Sequence, residues 1–286
     1  MVSKDLNSLW CDAAINHAAP REKLSSDIET DIAIIGAGFS GLWTAYYLKK
    51  LIPNSQVVII DANQVGFGAS GRNGGWCSGF LPNSIDELAD THGRELAIEM
   101  YRQSFATLDE IETVLVYESI DCDFHRGGTI CGATNSVQVE RVTSEINKFH
   151  QFGFTDDDIR QLSQSEVERR INVSNIQLAS YTPHCAVTHP AKLVNGLARV
   201  VEQLGVKIYE NSPVTQYQSG SIQTNHATCR AQMIIRATEG FTPSIKTHRR
   251  TLAPLYSYMI ATSPLTERQL QILGWENRET YHDARN

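Results

Sequence analysis

Three glycines and one aspartate are spaced so that they could bind a dinucleotide. Gly36, Gly38 and Gly41 form a GxGxxG pattern. Asp61 follows 20 positions beyond the last of them. In such a pattern the first glycine allows a tight turn, the second lets the backbone approach a pyrophosphate, and the third allows close helix packing. The carboxylate can accept hydrogen bonds from both ribose hydroxyls and would repel a 2′-phosphate. The spacing therefore predicts a dinucleotide with a free ribose.

The elements that must position these residues are a strand, a helix and a second strand. The apolar run 32–35 is typical of a buried parallel strand, and a helical pattern follows it up to Pro53. The backbone amides of Phe39 and Ser40 would open that helix, where free N–H groups and the helix dipole favour phosphate. The glycines at 66–71 repeat the pattern without a preceding strand, so we assign the dinucleotide to the first match.

Length and composition indicate a soluble globular protein of two domains. The chain has 286 residues with 41% hydrophobic residues, and its mean hydropathy is -0.27. The sequence has neither an apolar run of about 18 residues nor the core of a signal peptide at its start. We therefore predict a cytoplasmic protein without a membrane span.

Charge and cysteine usage argue against two classes of binding site. A net charge of -7 disfavours a nucleic-acid surface. The six cysteines are scattered, without the spacing of metal ligands, so we expect reduced thiols and no metal site.

Local patterns predict the remaining elements. In the first half of the chain we predict a helix over 83–117 and a hairpin of 123–125 with 129–133. In the second half we predict an amphipathic helix that begins at Pro190, followed by short strands over 206–238 that return to the first sheet. A strand over 255–262 and a helix beginning near Thr266 complete the prediction.

Four segments resemble the D-amino-acid-oxidase-like (DAO) family of FAD-dependent oxidoreductases, and within it the gamma-glutamylputrescine oxidase-like branch. They are GAGFSG with Asp61, GASGRNGG at 68–75, HPAKL at 189–193 and ATEG at 237–240. The resemblance covers nearly everything from residue 29 to 286. It implies an α/β fold: a Rossmann-type FAD-binding domain, as in glutathione reductase, with an interleaved α+β substrate domain.

The resemblance also implies domain boundaries. Residues 1–28 would be an N-terminal arm, 29–90 and 183–243 the two parts of the FAD-binding domain, and 91–182 and 244–286 the two parts of the substrate domain. Because the last residues resemble the lead into further strands of the family, we expect the substrate domain to be incomplete at the C-terminus.

The cofactor contacts implied by the resemblance extend beyond the first glycine motif. The glycine-rich loop would line the ribityl chain and flavin ring, one backbone position would contact the adenine, and the last returning strand would approach the pyrophosphate. Together with the first motif, the implied contacts are Gly36, Gly38, Phe39, Ser40, Gly41, Asp61, Ala62, Ala69, Ser70, Arg72, Asn73, Gly74, Gly75, Val214, Thr238 and Gly240.

The implied reaction is oxidation of a C–N bond in a small-molecule amine or amino acid, with hydride transfer to flavin N5 and hydrolysis of the imine. One alternative is a truncated, non-catalytic fragment that binds nucleotide weakly. A second alternative, an NAD-dependent enzyme, is disfavoured because it would leave GASGRNGG without a role.

The sequence does not identify a catalytic residue. Trp76 and either Tyr256 or Tyr258 could line the flavin face, although aromatic core packing would explain each of them. His189 precedes Pro190 and is expected to cap a helix rather than act as a base.

Overall fold

The structure, a computed structural model, describes residues 8–10, 20–275 and 277–284. The chain divides into two units. The first consists of the described residues of Met1–Gly74 with Ile120–Cys122 and His189–Ile260, and the second of Gly75–Ser119 with Asp123–Thr188 and the described residues of Ala261–Asn286.

The chain contains both strands and helices. The strands are β1 (Ile28–Ile35), β2 (Val57–Ile60), β3 (Trp76–Ser78), β4 (Thr129–Ala133), β5 (Arg160–Leu162), β6 (Leu178–Thr182), β7 (Cys185–Val187), β8 (Lys207–Tyr209), β9 (Val214–Gln218), β10 (Ser221–Thr224), β11 (Thr228–Arg236) and β12 (Thr280–Asp283). The α-helices are α1 (Phe39–Leu51), α2 (Ile85–His92), α3 (Arg94–Tyr117), α4 (Ser136–Gln151), α5 (Gln164–Arg170), α6 (Pro190–Gln203) and α7 (Glu267–Leu273).

A six-stranded sheet in the order β8-β2-β1-β11-β10-β9 organises the first unit. Its first four strands are parallel, while β10 and β9 continue from β11 as an antiparallel meander. The central strands β1 and β2 consist largely of buried isoleucine and valine, as a parallel strand covered on both faces requires. The predicted return of the late strands to the first sheet is therefore confirmed.

Helices α1 and α6 pack against each other in the first unit. Helix α6 begins with His189 as its N-cap residue, whose Nδ1 accepts a hydrogen bond from the backbone N–H of Lys192 at 3.3 Å. Pro190 follows at the first helical position, where its missing N–H costs nothing. The predicted capping role of His189 is confirmed.

The second unit contains a four-stranded sheet in the order β12-β4-β6-β5 and the separate antiparallel pair of β3 with β7. Helices α2, α3 and α4 supply an aromatic core that includes Tyr101, Phe105 and Phe149. Helix α2 ends at Gly93, whose φ is 89°, and α3 begins directly after it.

Three sequence-based predictions of elements were wrong. The single helix over 83–117 is two helices, because Gly93 takes a left-handed backbone conformation between them. The hairpin of 123–125 with 129–133 is absent from the described residues, since β4 pairs instead with β6 and β12, while His125 forms an isolated bridge to Val187. Residues 255–262 are exposed and form no strand.

The boundaries between the two structural units differ from the domain boundaries that the family resemblance implied. Apart from the short segment Ile120–Cys122, which belongs to the first unit, the chain passes from one unit to the other after residues 74, 188 and 260. The resemblance placed the corresponding changes after 90, 182 and 243. Residues 75–90 join the second unit because β3 pairs with β7 there and α2 packs against α3. The assignment of the units to cofactor and substrate remains a prediction at this point.

Candidate cofactor site

The first glycine motif forms a close turn between β1 and α1. Gly36 has a φ of 111°, and a Cβ at this position would lie 2.4 Å from the backbone oxygen of Ala237. At Gly41 a Cβ would lie 2.0 Å from the backbone oxygen of Gly36. Because real Cβ atoms do not approach oxygen so closely, only glycine fits at either position. The motif thus brings the start of α1 against the end of β1, as predicted.

Asp61 lies at the end of β2 and is tied to the same turn. Its Oδ2 accepts a hydrogen bond from the backbone N–H of Ala37 at 2.7 Å, and its Oδ1 accepts one from Asn63 at 2.8 Å. Burial raises the pKa of Asp61, and the two backbone hydrogen bonds oppose that rise. The carboxylate is therefore anchored beside the glycines, and the remaining lone pairs of both oxygens can accept ribose hydroxyls.

Ser70 joins the second glycine-rich segment to the first. Its Oγ accepts a hydrogen bond from the backbone N–H of Phe39 at 2.9 Å, within the first turn of α1. A Cβ at Gly38 would lie 2.8 Å from that oxygen. Helix α1 has no acidic residue in its first turn, so the N-terminal end retains the positive potential that favours phosphate.

Strand β11, which pairs with β1, ends next to the glycine turn. The backbone N–H of Ala237 donates to Ile35 at 2.8 Å, and Thr238 follows next to Gly36. The Thr238 hydroxyl lies 2.9 Å from that of Thr242, which also accepts a hydrogen bond from Arg236 at 2.7 Å. The polar side chains after β11 are thus held together at the end of the sheet where the glycine turn lies.

The side chains of Arg72 and Asn73 contact the protein itself. The Arg72 guanidinium lies 4.5 Å from the ring centroid of Phe67. The Asn73 amide donates to the carbonyl oxygens of Ala69 and Ser70 at 3.1 and 3.2 Å. These contacts stabilise the shape of the loop, and the proposed contacts of both residues with a flavin stay predictions.

The other predicted cofactor residues are more widely spread. Ser40, Ala62, Ala69 and Gly74 are exposed. Val214 begins the edge strand β9 and packs on the apolar core of the first unit. A Cβ at Gly240 would come no closer than 3.8 Å to Pro254. Gly75 belongs to the second unit, where its carbonyl accepts from Thr188 at 2.8 Å.

The aromatic candidates for the flavin face are not brought together by any contact among the described residues. Trp76 belongs to the second unit, where its indole N–H donates to Cys185 Sγ at 2.6 Å. Tyr256 and Tyr258 are 70% and 94% exposed, and the strand that would have aligned them is absent from the described segment. Their roles at a flavin stay untested.

Trp10 contacts the loop, although sequence reasoning did not identify it. Its indole N–H donates to the backbone oxygen of Asn73 at 2.7 Å, and its ring meets that of His189 edge to face at 4.8 Å. A single tryptophan without periodic neighbours carries no sequence signal for such a contact.

The arrangement fits FAD. Positions 36, 38 and 41 have no space for a Cβ, so the backbone between β1 and α1 carries no side chain there. Helix α1 presents its N-terminus at this turn, and Asp61 offers two acceptor oxygens beside it. Among the described residues, no helix has both the length and the apolar character needed to cross a membrane.

Comparison with known proteins identifies the family. The DAO family model, described as FAD dependent oxidoreductase, matches residues 31–285. A probable oxidoreductase, OrdL, of Haemophilus influenzae is 27% identical over 246 residues, which are 83% of this chain and 56% of OrdL. Gamma-glutamylputrescine oxidoreductase of Escherichia coli is 28% identical over 211 residues, 74% of this chain and 48% of the relative. The chain thus spans about half the length of these relatives.

Solved structures share the fold. Glycine oxidase from Geobacillus kaustophilus superposes with a TM-score of 0.63 at 21% identity, covering 77% of this chain and 58% of that enzyme. L-proline dehydrogenase from P. horikoshii gives a TM-score of 0.59 at 16% identity, covering 80% and 56%. The expected DAO-type FAD-binding fold is therefore confirmed.

Proposed function

The chain belongs to the DAO family of FAD-dependent oxidoreductases, and from this premise we propose that it oxidises a C–N bond of a small-molecule amine or amino acid. The observation that carries the proposal is the joining of the two glycine-rich segments by Ser70 and Phe39, next to the carboxylate of Asp61. This pairing supports the proposal because it would allow a dinucleotide to bind at α1 with the loop of residues 69–74 beside it.

FAD, when bound, supplies the two-electron acceptor for a hydride from the carbon next to the amine nitrogen. The residues of this chain would bind and orient it. Asp61 would accept the ribose hydroxyls, and the amides at the start of α1 would bind the pyrophosphate. The loop of residues 69–74, held by Ser70 and Asn73, would position the ring.

The choice of an amine or amino-acid substrate is supported by the relatives. One relative is named for gamma-glutamylputrescine and one related fold for glycine, both of which contain an oxidisable C–N bond. The product imine would be hydrolysed by water. A substrate amine must be unprotonated for its lone pair to assist hydride departure, so the rate of oxidation should rise with pH until the amine is fully deprotonated.

The test is anaerobic reduction of the FAD-loaded chain. Primary amines, N-methyl amino acids and D-amino acids are each added, and the loss of flavin absorbance is followed. The proposal requires that at least one amine reduces the flavin, faster at higher pH, while the corresponding alcohol does not. A chain that binds FAD and is reduced only by alcohols or by a nicotinamide would contradict the substrate class. Saturable binding of flavin with no reduction by any compound would support the non-catalytic alternative.

A further inference from the structure

The second unit contains a cavity of about 910 Å³ whose lining includes Trp76 but none of the proposed FAD-binding residues. One wall is the surface of α4, and the other walls come from the segment around the start of α2 and from the end of β12. Phe80, Tyr101 and Phe149 form an aromatic floor, with ring centroids 5.1 to 6.1 Å apart. The cavity is large enough for a small organic molecule and offers its apolar part an aromatic surface.

Glu145 of α4 supplies negative charge to this cavity. Burial and, after it, the charge of Glu145 raise the pKa of Tyr101 and that of the Cys131 thiol to about 12 each. Burial also raises the pKa of Glu145 itself, against the opposing effect of Lys148. Glu145 nevertheless remains accessible to solvent, because it lines an open concave wall that surrounding protein only partly desolvates.

The other charged groups at the cavity have partners within the protein. Lys148 forms an ion pair with Asp86 at 2.5 Å. Asp283 Oδ1 accepts a hydrogen bond from the Gln138 amide at 2.5 Å. Arg141 donates to the backbone oxygen of Ala284 at 3.4 Å.

Burial lowers the pKa of His282, so its imidazole adds no positive charge near neutral pH. The titratable or charged groups that face this region are Asp86 and Glu87 of α2, Tyr101 of α3, Glu140, Arg141, Glu145 and Lys148 of α4, Cys131 of β4, and His282 and Asp283 of β12. Lys148, which is paired with Asp86, therefore offsets the charge of Glu145 only in part, and the neutral His282 does not offset it. A cation from outside can neutralise the remaining charge.

We propose that this cavity binds an organic primary ammonium ion with an aromatic or aliphatic tail. The ammonium group would donate charge-assisted hydrogen bonds to Glu145, and the tail would pack on Phe80, Tyr101 and Phe149. The proposal does not depend on the proposed oxidation, because every residue involved belongs to the second unit and binding requires no flavin.

The experiment is isothermal titration calorimetry of the full chain with phenethylammonium near neutral pH. The neutral 2-phenylethanol and the anionic phenylacetate serve as probes of the same size. Phenethylammonium should bind about tenfold more tightly than 2-phenylethanol, the usual worth of a charge-assisted hydrogen bond. Phenylacetate should bind most weakly.

Variants locate the site. Glu145→Gln should lower the affinity for phenethylammonium about tenfold and leave that for 2-phenylethanol unchanged. Ser144→Trp, at an exposed residue that lines the cavity, should weaken binding of both by filling the space. The control Glu168→Gln, at an exposed residue of α5, should change neither. The affinity of the unmodified chain for phenethylammonium should also fall when the pH is lowered through the raised pKa of Glu145.

Several results would overturn the proposal. Equal affinity for the amine and the alcohol would identify an apolar cavity without charge selection. An unchanged affinity in Glu145→Gln, tighter binding of phenylacetate, or no binding of phenethylammonium would each exclude the site. If Glu145→Gln failed to fold, a pH-independent affinity of the unmodified chain would be equally decisive.

Discussion

At the scale of single residues, we predict that Asp61 makes FAD affinity depend on pH. Burial raises its pKa, so it becomes protonated at a higher pH than an ordinary aspartate. Protonation removes an acceptor that the ribose hydroxyls need, and FAD affinity should therefore fall as the pH drops through that raised pKa. A flavin fluorescence titration at a series of pH values measures this fall.

Asp61→Asn should weaken FAD binding by roughly one to two orders of magnitude, because it removes a charged acceptor and directs an amide N–H toward a backbone donor. It should also abolish the pH dependence. Asp31→Asn is the matched control, since Asp31, four residues before the end of β1, accepts hydrogen bonds from the Gln56 backbone N–H and the Gln232 side-chain amide. Equal losses in the two variants would remove Asp61 from the cofactor site.

Ser70 should contribute to stability through the first turn of α1. Ser70→Ala leaves the Phe39 N–H without its acceptor and should lower the free energy of unfolding by about 1 kcal/mol, as loss of a helix cap does. Urea denaturation measures the change. Ser144→Ala, on the exposed surface of α4, should not destabilise the chain. A Ser70 variant as stable as the parent would show that the hydrogen bond contributes nothing.

At the scale of elements, one substitution in the glycine turn should lower both the stability of the chain and its affinity for FAD. A Cβ at position 41 would collide with the backbone oxygen of Gly36, so Gly41→Ala must separate α1 from β1. We expect a loss of about 1–3 kcal/mol of stability together with loss of FAD binding.

Gly93→Ala is the control, because a φ of 89° is strained for alanine although no atom lies within 4 Å of the position of its Cβ. It should lose about 1–3 kcal/mol and keep its FAD affinity. Retention of FAD affinity by Gly41→Ala would contradict this account.

Local signals predicted the elements of the cofactor site well. The strand, turn, helix and acid of residues 32–61 follow one another in sequence, so spacing alone identifies them. The pairing of β4 with β6 and β12 depends on residues far along the chain, which local patterns do not reveal. The side-chain contacts of Ser70, Arg72 and Trp10 likewise depend on how distant segments pack. The break at Gly93 had a local signal, a glycine within a helical pattern.

The segment 255–262 has strand-like composition but forms no strand in the described chain. Its aromatic residues should therefore be accessible to protease. Chymotrypsin should cut first after Tyr256 or Tyr258, well before it cuts after Tyr209, which is 6% exposed. Mass spectrometry of the first fragments identifies the cuts. Resistance of 255–262 beyond that of β8 would show that the segment is paired after all.

At the scale of the whole molecule, the two proposed binding sites belong to different units. The first unit contains the glycine turn, Asp61 and Ser70. The second contains the cavity with Glu145. The boundary between the two units falls inside the glycine-rich segment of residues 68–75, between Gly74 and Gly75.

The most direct test of the central claim is hydrogen–deuterium exchange of the full chain with and without FAD. The account predicts that FAD slows exchange at residues 36–42, 61–74 and 237–240, which the structure gathers around the turn after β1. Gly41→Ala should abolish the effect. Slowed exchange confined to the second unit, or the same exchange with and without saturating FAD, would contradict the assignment of the cofactor to this site.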